Sequence, residues 1–273
     1  MAYSLLKYTI AGLGAGISTG LAGLSAAAII TPMLTTILGF NAYEAIGIAL
    51  ASDVLASAVS AYTYYKNKNI DIRNGLVMLV TTLIFTAIGS FLASLVPQKA
   101  LGDFSVYMTL LLGIKFIVKP VIKTEENTEV IESDELSIAS DVLTSAKNIK
   151  TQKYIKSAVA GCVVGFICGF IGAGGGMMML IILTSVLGYS LKTAVGTSVF
   201  IMSFTAFTGA TSHMVIGGLG DIVALITCVV TTLLGAWVAS KFANKATQEK
   251  LNRVTGGVLV ILGALMLSIK FFG

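Results

Sequence analysis

Charge is scarce in this sequence. Only 11% of its 273 residues are Asp, Glu, Lys or Arg, against about 25% in a soluble domain, whose surface must be wetted. That shortage excludes a soluble enzyme and a soluble nucleic-acid-binding protein. Histidine and tryptophan occur once each, cysteine and proline three times each. The cysteines, Cys162, Cys168 and Cys228, lie within apolar stretches, are odd in number and show no paired metal-ligand spacing. They read as buried small side chains, not as a disulfide framework or a metal site. Few prolines beside 29 glycines exclude a collagen-like or disordered chain. There is no G-x-x-x-x-G-K-[ST] run to hold ATP, and His213 has no neighbouring acid of a zinc-hydrolase motif. No cofactor, no metal and no catalytic residue are expected.

What is abundant is apolar. Hydrophobic residues make up 56% of the chain, the mean hydropathy is +0.91, and the apolar runs are long and unbroken. Runs of that kind make helices that cross a bilayer rather than barrel strands. The expected fold is an all-α integral membrane protein. Its net charge of +5 comes from 18 Lys and Arg against 13 Asp and Glu. The basic residues sit between apolar runs, where they signal topology, so no nucleic-acid partner is expected. Lys7 followed by an apolar run resembles a secretory leader, but the apolar character continues far past any cleavage point, and an uncleaved first span is expected.

Eight apolar segments run roughly over 5–38, 42–65, 72–96, 101–122, 155–187, 190–216, 219–243 and 251–272. The only extended hydrophilic stretch, residues 123–154, carries Glu125, Glu126, Glu129, Glu132, Asp134, Glu135 and Asp141, then Lys147, Lys150 and Lys153. It reads as a solvated linker between a first membrane repeat, 1–122, and a second, 155–273. A shift of 149 aligns Gly12, Gly16, Gly20 and Gly23 with Gly161, Gly165, Gly169 and Gly172, and Gly47 with Gly196. Eleven identities fall in the 53 pairs from Gly12 to Tyr64, where composition gives about four or five. Further on, Thr86 to Gly89 matches Thr232 to Gly235. A duplicated unit of four helices is a common transporter construction.

The first segment of each half is too long. Residues 5–38 would make a helix of about 51 Å, and the hydrocarbon core is about 30 Å thick. Each must break or re-enter, and the glycines mark where. Gly12, Gly16 and Gly20, like Gly161, Gly165 and Gly169, form one face suited to close helix packing. Gly174, Gly175 and Gly176 are consecutive and give no packing face. They permit an unwound backbone whose amides can face an anion, tolerated at membrane depth only inside protein or beside a cavity. Thr197 and Ser198 bring hydroxyls into the segment that follows, and Ser25 stands at the first-half counterpart of Gly174. These six residues are the candidate substrate-binding set. Hydroxyls can also simply bond back to a carbonyl of their own helix.

Asp53, in Ala51-Ser52-Asp53-Val54-Leu55, is the one acid near the middle of an apolar segment. An aspartate there costs about 2.5–3.5 kcal/mol on insertion scales and is functional by default. Proton coupling is one reading; a structural hydrogen bond is the other. His213, aligned with Tyr64 by the same shift, is a second coupling candidate or an anchor for a span end. Glu44 and Lys192 lie where segments enter the interface.

The run Gly165-Phe166-Ile167-Cys168-Gly169-Phe170-Ile171-Gly172-Ala173-Gly174-Gly175-Gly176, followed by Ala194-Val195-Gly196-Thr197-Ser198, resembles the TauE/SafE sulfite exporter family, also called the toluene-sulfonate uptake permeases. The resemblance covers nearly the whole chain. It implies a multi-pass carrier in the inner cell membrane for sulfite or organosulfonates such as sulfoacetate or isethionate. The first half lacks the triple glycine and the Thr-Ser pair, and the second lacks the proline often found after the glycines, which favours unequal roles for the halves.

The expected function is therefore secondary transport of a small sulfur-containing anion, ion- or proton-coupled, not catalysis. A passive anion channel, or a carrier of a non-sulfur organic anion, is the alternative. The expected partners are that anion and the lipid bilayer; a homo-oligomer is left open. With eight crossings, both termini, the linker and the loops after the second and sixth segments share one side, which collects 12 Lys and Arg against six. That side is expected to be cytoplasmic.

Overall fold

A computed structural model describes residues 2–97 and, from 155 to 264, all but 156, 171–175, 177–178, 181, 219, 248, 252, 255–256, 258–259 and 262–263. The expectations for segment 101–122, for the linker 123–154 and for Gly174 and Gly175 lie outside these residues. The described residues form helices α1 (Ala2–Ala22), α2 (Ala27–Leu38), α3 (Ala42–Lys66), α4 (Ile72–Ala93), α5 (Ser157–Phe170), α6 (Leu191–Gly217) and α7 (Ile222–Lys245), with a π turn at Ile182–Val186 before α6. There is no strand among the described residues. Among the described residues four helices, α3, α4, α6 and α7, are long and apolar enough to cross a membrane.

The first segment breaks at Gly23, whose φ of +63° only glycine adopts without strain. Pro32 lies not at the break but inside α2. Beyond the break the chain turns back along α1: the rings of Tyr8, early in α1, and Phe40, just past α2, are 6.2 Å apart, edge to face. Between them Ala11, Ala15, Ile29, Ile30, Met33 and Leu34 form one buried cluster. Re-entry thus resolves the excess length.

Local chemistry explains the next starts. Gly39, at φ +69°, ends α2, and Asn41 caps α3 by accepting the Tyr43 N–H at 2.9 Å. At the same offset, Gly188 has φ +71° and Ser190 accepts the Thr193 N–H at 3.3 Å to start α6. Asp221 caps α7, accepting from Val223 and Ala224 at 2.8 and 3.1 Å. Each cap satisfies N–H groups that a helix leaves unpaired in its first turn.

The glycine ladders set the packing. A Cβ on Gly12 would fall 3.0 Å from the Cys228 carbonyl, on Gly16 2.8 Å from the Ala236 nitrogen, and on Gly20 2.8 Å from the Ser240 nitrogen, so α1 lies along α7 with both running the same way. Likewise Gly161 meets Met78, Gly165 meets Thr82 and Gly169 meets Ser90, so α5 runs parallel to α4. The first helix of each half therefore packs on the helix of the third apolar segment of the other. The partners correspond at an offset of 150, through Val80-Thr81-Thr82-Leu83 and Val230-Thr231-Thr232-Leu233. This corrects the Thr86-to-Thr232 match, which is out by one helical turn.

Contacts along the other pairs fix the remaining directions. Gly47 faces His213 and Gly196 faces Tyr64, so α3 and α6 are antiparallel. Gly75 faces Phe200 and Gly209 faces Thr86, so α4 runs with α6. Helices α1, α3 and α7 point one way, and α4, α5 and α6 the other. The loops after α3 and after α6 consequently lie on opposite sides, not on one side as eight crossings require. The cause is α2, which returns instead of crossing. One end holds Tyr8, Glu44 and Asp221 and is called here the Asp221 face; the other holds Lys66, Asp71 and Lys192 and is called the Lys66 face.

Candidate functional site

The break after α1 is organised by Asp53. Its carboxyl, 1% exposed, comes from the midpoint of α3. It accepts the hydroxyls of Ser57, at 2.9 Å, and Ser25, and the backbone N–H of Ala26, while nearby Thr19 donates its hydroxyl to the Ala15 carbonyl at 3.0 Å. Ser25 Oγ in turn accepts the Ala27 N–H at 3.3 Å. Together they satisfy the first amides of α2, and the carboxylate sits where the helix dipole favours negative charge. Cys168, hydrogen-bonded with Thr205, lies close to Asp53 from the second half. Ser57 stands one helical turn from Asp53 and was legible as its neighbour; Thr19, 34 residues away in sequence, carried no such signal.

The second half closes on this break. A Cβ on Gly176 would fall 2.5 Å from the Gly23 carbonyl, 2.8 Å from the Ser25 nitrogen and 2.6 Å from Met202 Sδ. Ser198 Oγ fills the space where a side chain on Gly23 would go, and donates to the Val195 carbonyl at 2.9 Å. The candidates Ser25, Asp53, Gly176 and Ser198 are thus gathered around one buried point. Met202 and Gly23 belong there too. Met202 sits at the offset of 149 from Asp53, so the second half carries no acid at the matching position.

Two candidates are engaged elsewhere. Thr197 Oγ1 accepts the backbone N–H of Asp71 at 3.0 Å, at the start of α4. His213 Nε2 lies 3.0 Å from the Gly169 carbonyl, and its ring stacks 4.1 Å from that of Tyr43. Its counterpart Tyr64 donates to the Gly20 carbonyl at 3.2 Å. Both side chains thus engage the carbonyl of the last ladder glycine in a first helix. Helix ends leave such carbonyls without an intrahelical partner. Glu44 and Lys192 tie helices together at the two faces: Glu44 Oε1 accepts the Asp221 N–H of the far half at 2.8 Å, and Lys192 Nζ donates to the Asn244 carbonyl of its own half at 3.0 Å. No cluster of three or more His, Cys, Asp or Glu that could hold a metal exists among the described residues.

Comparison with known proteins gives a consistent set of relatives. The family described as "Sulfite exporter TauE/SafE" matches residues 8–266. The chain is 25% identical over 252 residues to "Probable membrane transporter protein YdhB" of Bacillus subtilis (strain 168), covering 92% of this chain and 96% of that one. It is 26% identical over 279 residues to "Probable membrane transporter protein YunE" of the same organism, covering 97% of each. Against "Probable membrane transporter protein MJ0441" of Methanocaldococcus jannaschii it is 24% identical over 272 residues, covering 94% of this chain and 93% of that one. No solved structure matches the chain significantly.

Proposed function

Because the chain belongs to the sulfite exporter TauE/SafE family, we propose that this membrane transporter carries a small sulfur-containing anion, sulfite or an organosulfonate, in the cell membrane and with proton coupling. The observation that carries the proposal is the approach of Gly176 to the interrupted stretch Gly23–Ala26, beside buried Asp53. Irregular backbone at membrane depth is tolerated where it lines a path, and helix amino ends beside such a break suit an anion.

The halves have different tasks in this reading. At the first break the anion is built in: Asp53 occupies the amino end of α2. At the matching position of the second half stands uncharged Met202. The substrate oxyanion takes, at Gly174, Gly175 and Gly176, the part that the Asp53 carboxylate takes at Ser25 and Ala26. Ser25 and Ser198 border that point, and Thr197 joins when its bond to Asp71 opens. Asp53 is the coupling group. A proton on its carboxyl removes the charge that holds the Ser25 hydroxyl and the Ala26 N–H, so proton uptake loosens the break itself. His213 is the second coupling candidate.

The wider architecture follows the same reading: eight apolar segments in two related halves, 1–122 and 155–273, joined by the linker 123–154. It is supported by fittings that recur at offsets of 149 and 150, among them Gly39 and Gly188, Tyr64 and His213, and the two ladders. The sulfur chemistry rests on the family description alone. The test is uptake by proteoliposomes containing the full chain, with sulfite, sulfate, thiosulfate, sulfoacetate, isethionate and carboxylate controls. Flux of sulfur oxyanions that disappears when the proton gradient is collapsed supports the proposal. Flux indifferent to the gradient favours a passive channel, and flux of carboxylates alone removes the substrate class.

A further inference from the structure

The start of α4 and the start of α7 stand at opposite faces and are tied to the other half in the same way. At the Lys66 face, the backbone N–H of Asp71 donates to Thr197 Oγ1 at 3.0 Å, and the Asp71 carboxylate accepts the Tyr189 hydroxyl at 2.6 Å. At the Asp221 face, the backbone N–H of Asp221 donates to Glu44 Oε1 at 2.8 Å, and its carboxylate accepts the Tyr8 hydroxyl at 3.4 Å. Asp71 and Asp221 are 150 residues apart, the offset that relates the helices they begin. Each ties one half to a tyrosine and to an oxygen acceptor of the other.

The two ties are not equally closed. At the Lys66 face the backbone of Asn69 and the side chains of Tyr64 and Ile70 press on Gly196, and Asn69 Nδ2 donates to Asn244 Oδ1 at 2.9 Å. At the Asp221 face Gly217 and Gly220 press on Tyr43 and Glu44, but the counterpart of Gly196, Gly47, meets among the described residues His213 alone, at 3.4 Å from where its Cβ would lie. Beside it is a small cleft, of about 10 Å³ and so wide enough for about one water, lined by Tyr43, Glu44, Ile48, His213 and Met214. The tyrosine bond is also longer there. Two ends begun by corresponding aspartates, with tyrosine and acceptor partners from non-corresponding positions, thus differ in closure within one structure.

We propose that Asp71 and Asp221 are paired latches, one at each membrane face, whose alternate release exposes the central site first to one side and then to the other. The structure holds the Asp71 latch shut and the Asp221 latch slack. Because the contributing helices run in opposite directions, exchanging the two conditions exchanges the faces, as alternating access requires. Thr197 then has two states, bonded to Asp71 when the Lys66 face is closed and released toward the site when it opens. The inference rests on transport as the activity but not on which anion is carried.

The test follows two reporter cysteines in the full-length detergent-solubilised protein, with Cys162, Cys168 and Cys228 replaced by alanine. Met214→Cys reports the cleft at the Asp221 face, and Ile70→Cys the seal at the Lys66 face. Labelling by a water-soluble maleimide is timed without substrate, so the result does not depend on the anion. Asp71→Ala is expected to speed labelling of Ile70→Cys and slow that of Met214→Cys, by roughly tenfold in their ratio, the worth of a hydrogen bond to a charged group in a two-state equilibrium. Tyr189→Phe removes one hydroxyl and shifts the ratio the same way. Tyr8→Phe, which leaves the Asp221 cap of α7 intact, shifts it the opposite way. Reporters that stay unchanged, or that rise or fall together, overturn the proposal.

Discussion

Asp53 receives three hydrogen bonds at a depth where an unpaired carboxylate is expensive. The pattern separates its two roles by substitution. Asp53→Asn keeps an acceptor oxygen for Ser25 or Ser57 but cannot exchange a proton. It is expected to bind substrate, lose gradient-driven accumulation and flatten the pH dependence of flux; wild-type accumulation with an unchanged pH profile would leave Asp53 as a structural tie alone. Asp53→Ala strands the Ala26 N–H and the hydroxyls of Ser25 and Ser57, at about 1–3 kcal/mol for each group left buried and unpaired. It should lower the thermal unfolding temperature well below that of the asparagine variant. His213 gives the contrasting case. Tyr64 serves Gly20 as His213 serves Gly169, so His213→Tyr should preserve both flux and its pH profile, whereas His213→Ala should lower thermal stability. Loss of pH dependence in His213→Tyr would instead make this side chain the coupling group. Asp53 was legible in the sequence as the lone acid inside a span. The job of His213 was not, because its partner is a backbone carbonyl 44 residues away, and no residue type announces an unpaired carbonyl.

Helix pairs are fixed by the glycine ladders, and the consequence is measurable at the level of one element. On Gly16 a valine would have its Cβ 2.8 Å from the Ala236 nitrogen, with backbone rather than a flexible side chain in the way. Prying α1 from α7 should cost about 1–3 kcal/mol, the usual range for overpacking. Among the described residues no atom lies within 4 Å of the would-be Cβ of Gly257, and Gly257→Ala should be neutral or slightly stabilising, since alanine favours helix by about 1 kcal/mol. Thermal unfolding of the two variants in the same detergent checks both signs; equal stability would mean that α1 does not rest on α7 through this face. Apolar length and polar punctuation gave the limits of α3, α4, α6 and α7 to within a few residues, because water and lipid act directly on composition. The ladder face was readable for the same reason, as a period of four. Which helix it meets was not, since threonine, alanine and serine suit many partners. The match of Thr86 with Thr232 shows the difficulty: small residues recur so often that a register wrong by one turn still aligns.

The direction of α2 decides the topology of the whole molecule. Residues 5–38 are too long for one crossing, but their length is equally compatible with a kinked span and with a hairpin. The contact of Tyr8 with Phe40, and the buried cluster between α1 and α2, select the hairpin. Once α2 returns, α3 and α6 cross in opposite directions, and the basic residues sort themselves. Lys66, Lys68, Arg73, Lys192, Lys241, Lys245, Lys250 and Arg253 gather at the Lys66 face, and among the described residues only Lys7 lies at the other. The count of 12 against six assumed that the loops after α3 and α6 share a side, which mixed the two faces and blurred the asymmetry. With the faces separated, the positive-inside rule assigns the Lys66 face to the cytoplasm. The slack latch and the cleft beside His213 then face outward. An epitope inserted after Asn67 should be stained only in permeabilised cells, and one inserted after Gly218 in intact cells. The linker 123–154, which leads into α5 at the Lys66 face, should behave as Asn67 does. Staining of both loops from one side would contradict the antiparallel pairing of α3 with α6 and return α2 to a crossing helix. The reverse staining would keep the fold and invert its orientation, so that the slack latch would open toward the cytoplasm instead.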